Sequence, residues 1–346
     1  MTEPVQLWPV SGEEGPVLKY GDEWTFFVSS AQESSNNRAV AAVNRKGSSG
    51  CAGPQTKEKM KRRTFIKRSL AGSALLSAFP YHLLAGDKKL YPYDRVELGN
   101  TGIHMSRMAM GTGTRGFGGS SNQTRQLGIR GLSDLLQAAF DEGINFWETA
   151  DQYGSHPHLR EAFKKVDREK VVVLTKTNSA TYKDVRSDLE RFKSELGTDY
   201  FDIVLLHAVT DPAWNINMKG AMEALAEAKE EGMIRAHGVS CHSIGALRTA
   251  AEEPWVEVDL ARYNPGGVAM DADVPTVREV LTRMKENGKA IINMKVYGQG
   301  RLTDKKDECL EFFTGAPFMD SFTLGIENYD QLKDIEQRLP EASVRG

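Results

Sequence analysis

The sequence predicts an α/β domain folded as a (β/α)8 TIM barrel, and three observations lead there. From about Tyr93 onward, short apolar β-branched runs alternate with segments of helical period. Such alternation implies a parallel sheet with helices packed on it. Eight of these units fit a stretch close to the roughly 250 residues a closed barrel uses. An open doubly wound sheet is the alternative, weakened because no Gly-x-Gly-x-x-Gly leads from a first strand into a helix. Gly111-Thr112-Gly113-Thr114-Arg115-Gly116 is glycine-rich but lacks that spacing.

The expected strands are Met108–Met110, Asn145–Trp147, Val171–Thr175, Ile203–Leu206, Ala236–Val239, Val256–Leu260, Ala290–Asn293 and Ser321–Leu324. Between them, helical period marks Ser133–Glu142, Tyr182–Leu196, Lys219–Glu231, Val274–Asn287 and Tyr329–Arg338. Gly143, Gly197, Gly232 and Gly288 follow helical segments, where a left-handed cap is cheapest for a residue without Cβ. Asp184 and Ser187 make a polar first turn for one helix, favourable to its N-terminal dipole.

The first ninety residues have a different character. Residues 1–59 lack a sustained period and hold Ser34-Ser35-Asn36-Asn37 and Gly47-Ser48-Ser49-Gly50. A stretch with so little apolar surface to bury is expected to be disordered, or to be a misassigned extension preceding a true start at Met60. Over 60–89, Lys61-Arg62-Arg63-Thr64-Phe65-Ile66-Lys67 precedes the mildly apolar Ser69 to Pro80 and then Leu83-Leu84-Ala85. A basic n-region, a short h-region and a small residue for cleavage make a signal segment. The arginine pair with Phe65 and Lys67 resembles the twin-arginine (Tat) motif. That resemblance implies the Tat export machinery as a partner and a periplasmic or exported location, or a cytoplasmic one if the signal is not used. The h-region falls short of the about 20 apolar residues of a membrane span.

A net charge of -3 gives no basic footprint for nucleic acid. Cys51, Cys241 and Cys309 are odd in number and widely spaced, which is no disulfide framework, and no metal-ligand spacing accompanies them.

In such barrels chemistry sits on loops beyond the C-terminal strand ends. The second strand leads into Glu148-Thr149-Ala150-Asp151-Gln152-Tyr153-Gly154, the third ends in Thr175-Lys176-Thr177, and the fourth ends in Leu205-Leu206-His207. Each residue alone has a bland role: a half-buried phenol, a snorkelling lysine, a structural histidine, a capping acid. A carboxylate, a phenol, an ammonium and an imidazole on consecutive strand ends outweigh those readings together.

Phe146-Trp147-Glu148-Thr149-Ala150-Asp151-Gln152-Tyr153-Gly154 resembles the aldo/keto reductase segment Phe-Asp-Thr-Ala-x-x-Tyr-Gly. Lys176 in Val-Leu-Thr-Lys and His207 in Asp-Ile-Val-Leu-Leu-His fall where that family has its lysine and histidine. Gly238-Val239-Ser240 resembles the segment holding the nicotinamide carboxamide, and Arg262-Tyr263-Asn264 the one whose tyrosine stacks on the nicotinamide. Met294 to Leu302 resembles the pyrophosphate loop. The likeness runs in order from about Leu98 to Leu339.

The resemblance implies reduction of an aldehyde or ketone by NADPH or NADH. Hydride must come from a cofactor, since no side chain supplies it. Tyr153 is then the proton donor, with Lys176 lowering its pKa from about 10. His207 orients the carbonyl oxygen and stabilises the developing alkoxide. Implied cofactor contacts are Gly111, Thr112, Ser240, Cys241, Tyr263, Tyr297, Gly298, Gly300, Leu302, Gly325, Glu327 and Gln331. The loops Gly113–Ser121, Val209–Asn217 and Pro265–Asp273 would shape the substrate pocket, with Trp214 and Met270 as walls or packing residues.

Three positions depart from the family pattern. Glu148 stands where the family has an aspartate paired with the lysine, one methylene longer. Either Lys176 keeps its pair or it is displaced at a loss of rate. Cys241 stands where many relatives have asparagine, leaving Ser240 and backbone to hold the carboxamide. Glu327 lies in the last strand–helix loop, where relatives choosing NADP place basic residues. The family likeness leans to NADP, whereas Glu327 suits a ribose diol. Two other functions remain open: a cofactor-binding barrel with little turnover, serving as a redox-sensing or interaction subunit, and a lyase or isomerase without nicotinamide.

Overall fold

The computed structural model describes residues 89–345 and two short strands nearer the N-terminus. These, β1 (Lys19–Tyr20) and β2 (Glu23–Trp24), pair antiparallel, a regular feature in a stretch expected to have none. The twin-arginine segment lies outside the described residues, apart from Lys89.

Eight parallel strands form a closed barrel: β5 (Met108–Gly111), β6 (Phe146–Glu148), β7 (Val172–Thr177), β8 (Phe201–Val209), β9 (Ile234–Cys241), β10 (Val258–Arg262), β11 (Ala290–Met294) and β12 (Ser321–Gly325). β12 pairs back onto β5, which closes the ring. Every expected strand is present, most with ends shifted by a residue or two.

A hairpin that periodicity did not reveal precedes the barrel, β3 (Arg95–Glu97) against β4 (His104–Ser106). Its Leu98, Ile103 and Met105 are fully buried among Ala109, Phe146, Val172, Ile203 and Val258 inside the barrel. Ser106 Oγ accepts from Phe146 N, so the hairpin plugs the N-terminal end. At about 1.5–3 kcal/mol for each large apolar side chain buried, it adds to stability while leaving the opposite end for chemistry.

Around the barrel run α1 (Asn122–Asp141), α2 (His156–Ala162), α3 (Tyr182–Leu196), α4 (Trp214–Asn217), α5 (Lys219–Glu230), α6 (Ile244–Glu252), α7 (Val274–Glu286), α8 (Lys306–Thr314) and α9 (Tyr329–Ser343). α3 has the expected bounds: Thr181 caps its first turn, and Gly197 ends it at φ 67°. α1 starts at Asn122 instead of Ser133, with a Ser121–Thr124 capping box and a break at Gly128. The short α2, α6 and α8 carry too few turns for a periodic signal. Among the described residues no helix is long and apolar enough to cross a membrane.

Strand alternation places the site. Val172 and Leu174 of β7 face inward, as do Ile203 and Leu205 of β8, Phe146 of β6 and Val258 and Leu260 of β10. The next inward positions toward the C-terminal end are Glu148, Lys176, His207 and Arg262, with Ser240 on β9 and Met294 on β11. One layer of side chains, drawn from separate strands, therefore meets at the mouth.

Candidate active site

Lys176 is completely buried and its ammonium is shared among three groups. It pairs with Glu148 Oε1, donates to the Thr149 carbonyl at 2.8 Å and donates to Tyr153 Oη at 3.3 Å. The longer carboxylate therefore does not displace the lysine. Glu148 Oε2 accepts from Thr323 Oγ1 at 3.3 Å, so both carboxylate oxygens are engaged in a dry site.

Tyr153 ends a short 3-10 turn (Asp151–Tyr153) closed by Gly154 at φ 61°. Lys176 Nζ lies 4.6 Å from its ring centroid, and the His207 ring meets it edge-on at 5.7 Å. A Cβ at Gly113 would stand 2.5 Å from Tyr153 Cδ2 and nearer still to Cε2 and Cζ. One at Gly116 would stand 2.8 Å from Cε1 and nearer to Cδ1. The glycine-rich run after β5 is thus a sleeve for the phenol, a role its spacing did not suggest.

His207 lies at a bulge: the β8–β9 register shifts between Leu206 and Val209, and Ala208 adopts φ 54°. A non-glycine residue held there costs about 1–2 kcal/mol, a local strain that re-aims the preceding imidazole. His207 Nδ1 lies 3.3 Å from Asn178 Oδ1, and the His242 ring centroid is 6.5 Å away. With Asn178 presenting Oδ1, the hydrogen sits on Nδ1. With the amide turned to present Nδ2, Nε2 carries the hydrogen and can donate into the mouth.

Electrostatics correct one expectation. The Tyr153 phenol is pushed well above its usual 10.0 and not lowered, first by burial and then by the Glu148 charge. Burial also lowers Lys176, with Glu148 opposing that shift. Its charge is largely spent on Glu148, so little remains to acidify the phenol. Burial, with Lys176, His242 and Lys295 nearby, holds His207 well below 6.5. Burial, then the charges of Lys295 and Arg262 and to a smaller degree Lys176, hold His242 at about 3. Both imidazoles are neutral at ordinary pH.

The implied cofactor contacts divide. Ser240 Oγ is buried at the mouth without a hydrogen-bond partner, a group suited to bonding an amide. Gly298–Gly300 forms a tight turn with positive φ at Gly298, Gln299 and Gly300, and open space where a Gly300 Cβ would point. The Gly298, Gly300, Arg301 and Leu302 N–H groups donate to carbonyls within the turn, so what it offers a pyrophosphate is a close approach of backbone free of side chains. Leu302 is buried, and Tyr297 packs on the outer core. Glu327 precedes the Asn328 cap of α9 and Gln331 lies in its first turn: Glu327 N donates to Gln331 Oε1 at 2.8 Å, and Glu327 Oε1 accepts from Asn122 at 3.0 Å. Gly325 closes against Thr114.

Other residues are turned away. Tyr263 is fully buried outside the barrel, its ring stacked on Phe312 at 4.6 Å and its hydroxyl accepting from Arg278 at 2.8 Å. Held there, it cannot stack on a ring in the mouth, because alternation after Arg262 points it at the helices. Cys241 likewise faces outward and donates to Asp259 Oδ2 at 3.4 Å. Gly111 lies within the sheet, and Thr112 donates to the Glu148 carbonyl and bonds Ser155 at 2.7 Å. Trp214 is fully buried and donates to the Ala246 carbonyl at 3.3 Å. It is a packing residue and not a pocket wall. Met270 takes the Asn264 N–H on its sulfur. Asn178, His242 and Thr323 were missed, and Met294, expected at the start of the pyrophosphate loop, is instead an inward residue at the end of β11, as alternation from Ala290 and Ile292 indicates.

A family model described as Aldo/keto reductase family matches residues 109–340. The NADH-specific methylglyoxal reductase of Escherichia coli (strain K12) is 29% identical over 234 residues, covering 60% of this chain and 69% of that protein. The D-threo-aldose 1-dehydrogenase of a Pseudomonas species is 25% identical over 216 residues, covering 51% of this chain and 64% of that protein. Among solved structures, the holo form of aldo-keto reductase AKR11C1 from Bacillus halodurans superposes with a TM-score of 0.57 at 18% identity, covering 70% of this chain and 90% of that one. That likeness speaks for the fold.

Proposed function

Given that the chain belongs to the aldo/keto reductase family and is an NAD(P)-dependent oxidoreductase, we propose that it reduces small aldehydes or ketones with Tyr153, Lys176, His207 and Glu148 as its machinery. One observation carries this reading: the Tyr153 hydroxyl accepts from a fully buried Lys176 that is itself fixed by Glu148. Because Lys176 donates to the phenol oxygen, the phenol's own hydrogen is left to point elsewhere.

Ser240 would hold the carboxamide and the Gly298–Gly300 turn would lie against the pyrophosphate of a nicotinamide cofactor, which would supply the hydride. The protein's part is the proton. Burial keeps Tyr153 protonated, and the phenol donates to the oxygen as alkoxide charge develops. The resulting phenolate lies 3.3 Å from the Lys176 ammonium, which stabilises it. Lys176 therefore works on the charge formed during reaction more than on the resting acid. His207 donates from Nε2 to the same oxygen when Asn178 presents Nδ2 to Nδ1.

We further propose a preference for NADH, because the Glu327 carboxylate at the start of α9 suits a ribose diol and repels a 2′-phosphate. The test is fluorescence titration of the full chain with NADH and NADPH, followed by turnover of methylglyoxal and simple aldoses. Micromolar NADH binding with turnover is expected. A folded chain that binds neither nucleotide overturns the reading, and one that binds without turnover identifies a cofactor-holding barrel.

Export through the twin-arginine route is the proposed location, supported by Arg62-Arg63 with Phe65 and Lys67. Cell fractionation of wild type and Arg62→Lys/Arg63→Lys tests it: the wild type should be exported and the variant retained. Identical distributions overturn it.

A further inference from the structure

We propose that Thr323 is a positioning residue for the Glu148–Lys176 pair, and that its hydroxyl is what lets a glutamate serve at the end of β6. This rests on the reductase reading above.

The two oxygens of Glu148 are held by different strands. Oε1 meets Lys176 of β7, and Oε2 accepts from Thr323 of β12, on the other side of β5. Both partners of the second contact are nearly buried, Glu148 at 5% and Thr323 at 8% exposure. Between them lies Gly111, paired with Glu148 on one side and Gly325 on the other. A Cβ at Gly111 would stand 2.8 Å from Thr323 Oγ1. The missing side chain keeps the space open through which the hydroxyl meets the carboxylate.

Glutamate has one more rotatable bond than aspartate, so fixing it costs more side-chain entropy. A carboxylate held only at Oε1 could swing about that contact and carry the ammonium with it. Because Lys176 also bonds Tyr153 Oη, such a swing would reach the proton donor. Thr323 stops it by giving the far oxygen a fixed donor in a dry site, where hydrogen bonds are strengthened. The 3.3 Å separation is longer than the usual O–H···O range of about 2.5–3.0 Å, so a moderate effect is expected. An aspartate is too short to reach both partners, and its dependence on Thr323 should vanish.

The experiment is a double-mutant cycle on the full chain, using methylglyoxal as substrate with the preferred nucleotide. Thr323→Val should lower kcat about tenfold with KM nearly unchanged, and Thr323→Ser should keep most of the rate. In a Glu148→Asp background, Thr323→Val should change kcat less than about twofold. The same four proteins, unfolded in urea without nucleotide, should show non-additive midpoints. Equal effects of Thr323→Val in both backgrounds, or a Thr323→Ser as poor as Thr323→Val, overturn the proposal. Should Thr323→Val not fold, Thr323→Ala set against Thr323→Ser isolates the hydroxyl. A wild type without turnover would sink the reductase reading alone, since the unfolding cycle still decides the role of Thr323.

Discussion

Gly113→Ala should nearly abolish turnover without removing any reacting group. A methyl at that position would stand 2.5 Å from Tyr153 Cδ2 and closer to two other ring carbons, against an ordinary carbon–carbon contact of about 3.5–4.0 Å. The ring must retreat by about 1 Å or more, and Gly116 on its other edge leaves little room. Displacement of a reacting group by about 1 Å can cost about 100-fold in rate. Overpacking should also cost about 1–3 kcal/mol of stability, measurable by urea unfolding. The assay is nicotinamide absorbance during methylglyoxal reduction, comparing kcat with KM for each substrate. kcat should fall about 100-fold with nucleotide binding kept. Added to Tyr153→Phe, the same change should do little more, because the hydroxyl it displaces is already gone. A Gly113→Ala enzyme within a few-fold of wild type would refute the sleeve, as would an equal further loss in the Tyr153→Phe background.

Lys176→Met should leave Glu148 buried without its cation, destabilising the fold by about 3–5 kcal/mol in urea titrations near neutral pH and removing most of kcat. An unchanged unfolding midpoint would contradict the pairing. His207 and His242 are both held below 6.5 by burial, His242 at about 3. The unfolded chain therefore binds more protons as pH drops below 6.5, and stability should fall from there toward pH 3. Substituting His242→Gln should flatten that slope in unfolding measured across the range. Asn178→Asp should lock the hydrogen on His207 Nδ1, leave Nε2 without one and lower kcat about tenfold with KM for nucleotide unchanged; an unaffected kcat would remove His207 as a donor.

The barrel was legible because its signals are local and repeated. β7 and β8 announce themselves as apolar runs, and α3 carries both a cap and a closing glycine at its ends. What escaped is short or non-local. α6 and α8, with 9 residues each, give too few turns for a period to emerge. The β3–β4 hairpin shows its purpose only where Leu98, Ile103 and Met105 meet the barrel floor. The early start of α1 was obscured by Gly128, where φ of 60° interrupts the helix.

At the site, strand-end position found Glu148, Lys176, His207 and Tyr153, because one dimension suffices to say which residues lie at the ends of strands. Direction is harder, and parity is the missing datum. Ser240 and Cys241 are neighbours in sequence, yet one faces the lumen unpartnered and the other bonds Asp259 behind the sheet. The same step separates Arg262 from Tyr263, whose ring the sequence alone would send to the wrong side. Charge balance is harder still, since the Lys176 that resemblance casts as acidifying Tyr153 spends its charge on Glu148. A glutamate at this position is thus more than a longer aspartate. It reaches a second strand, and in doing so links the Lys176 ammonium to a hydroxyl on β12.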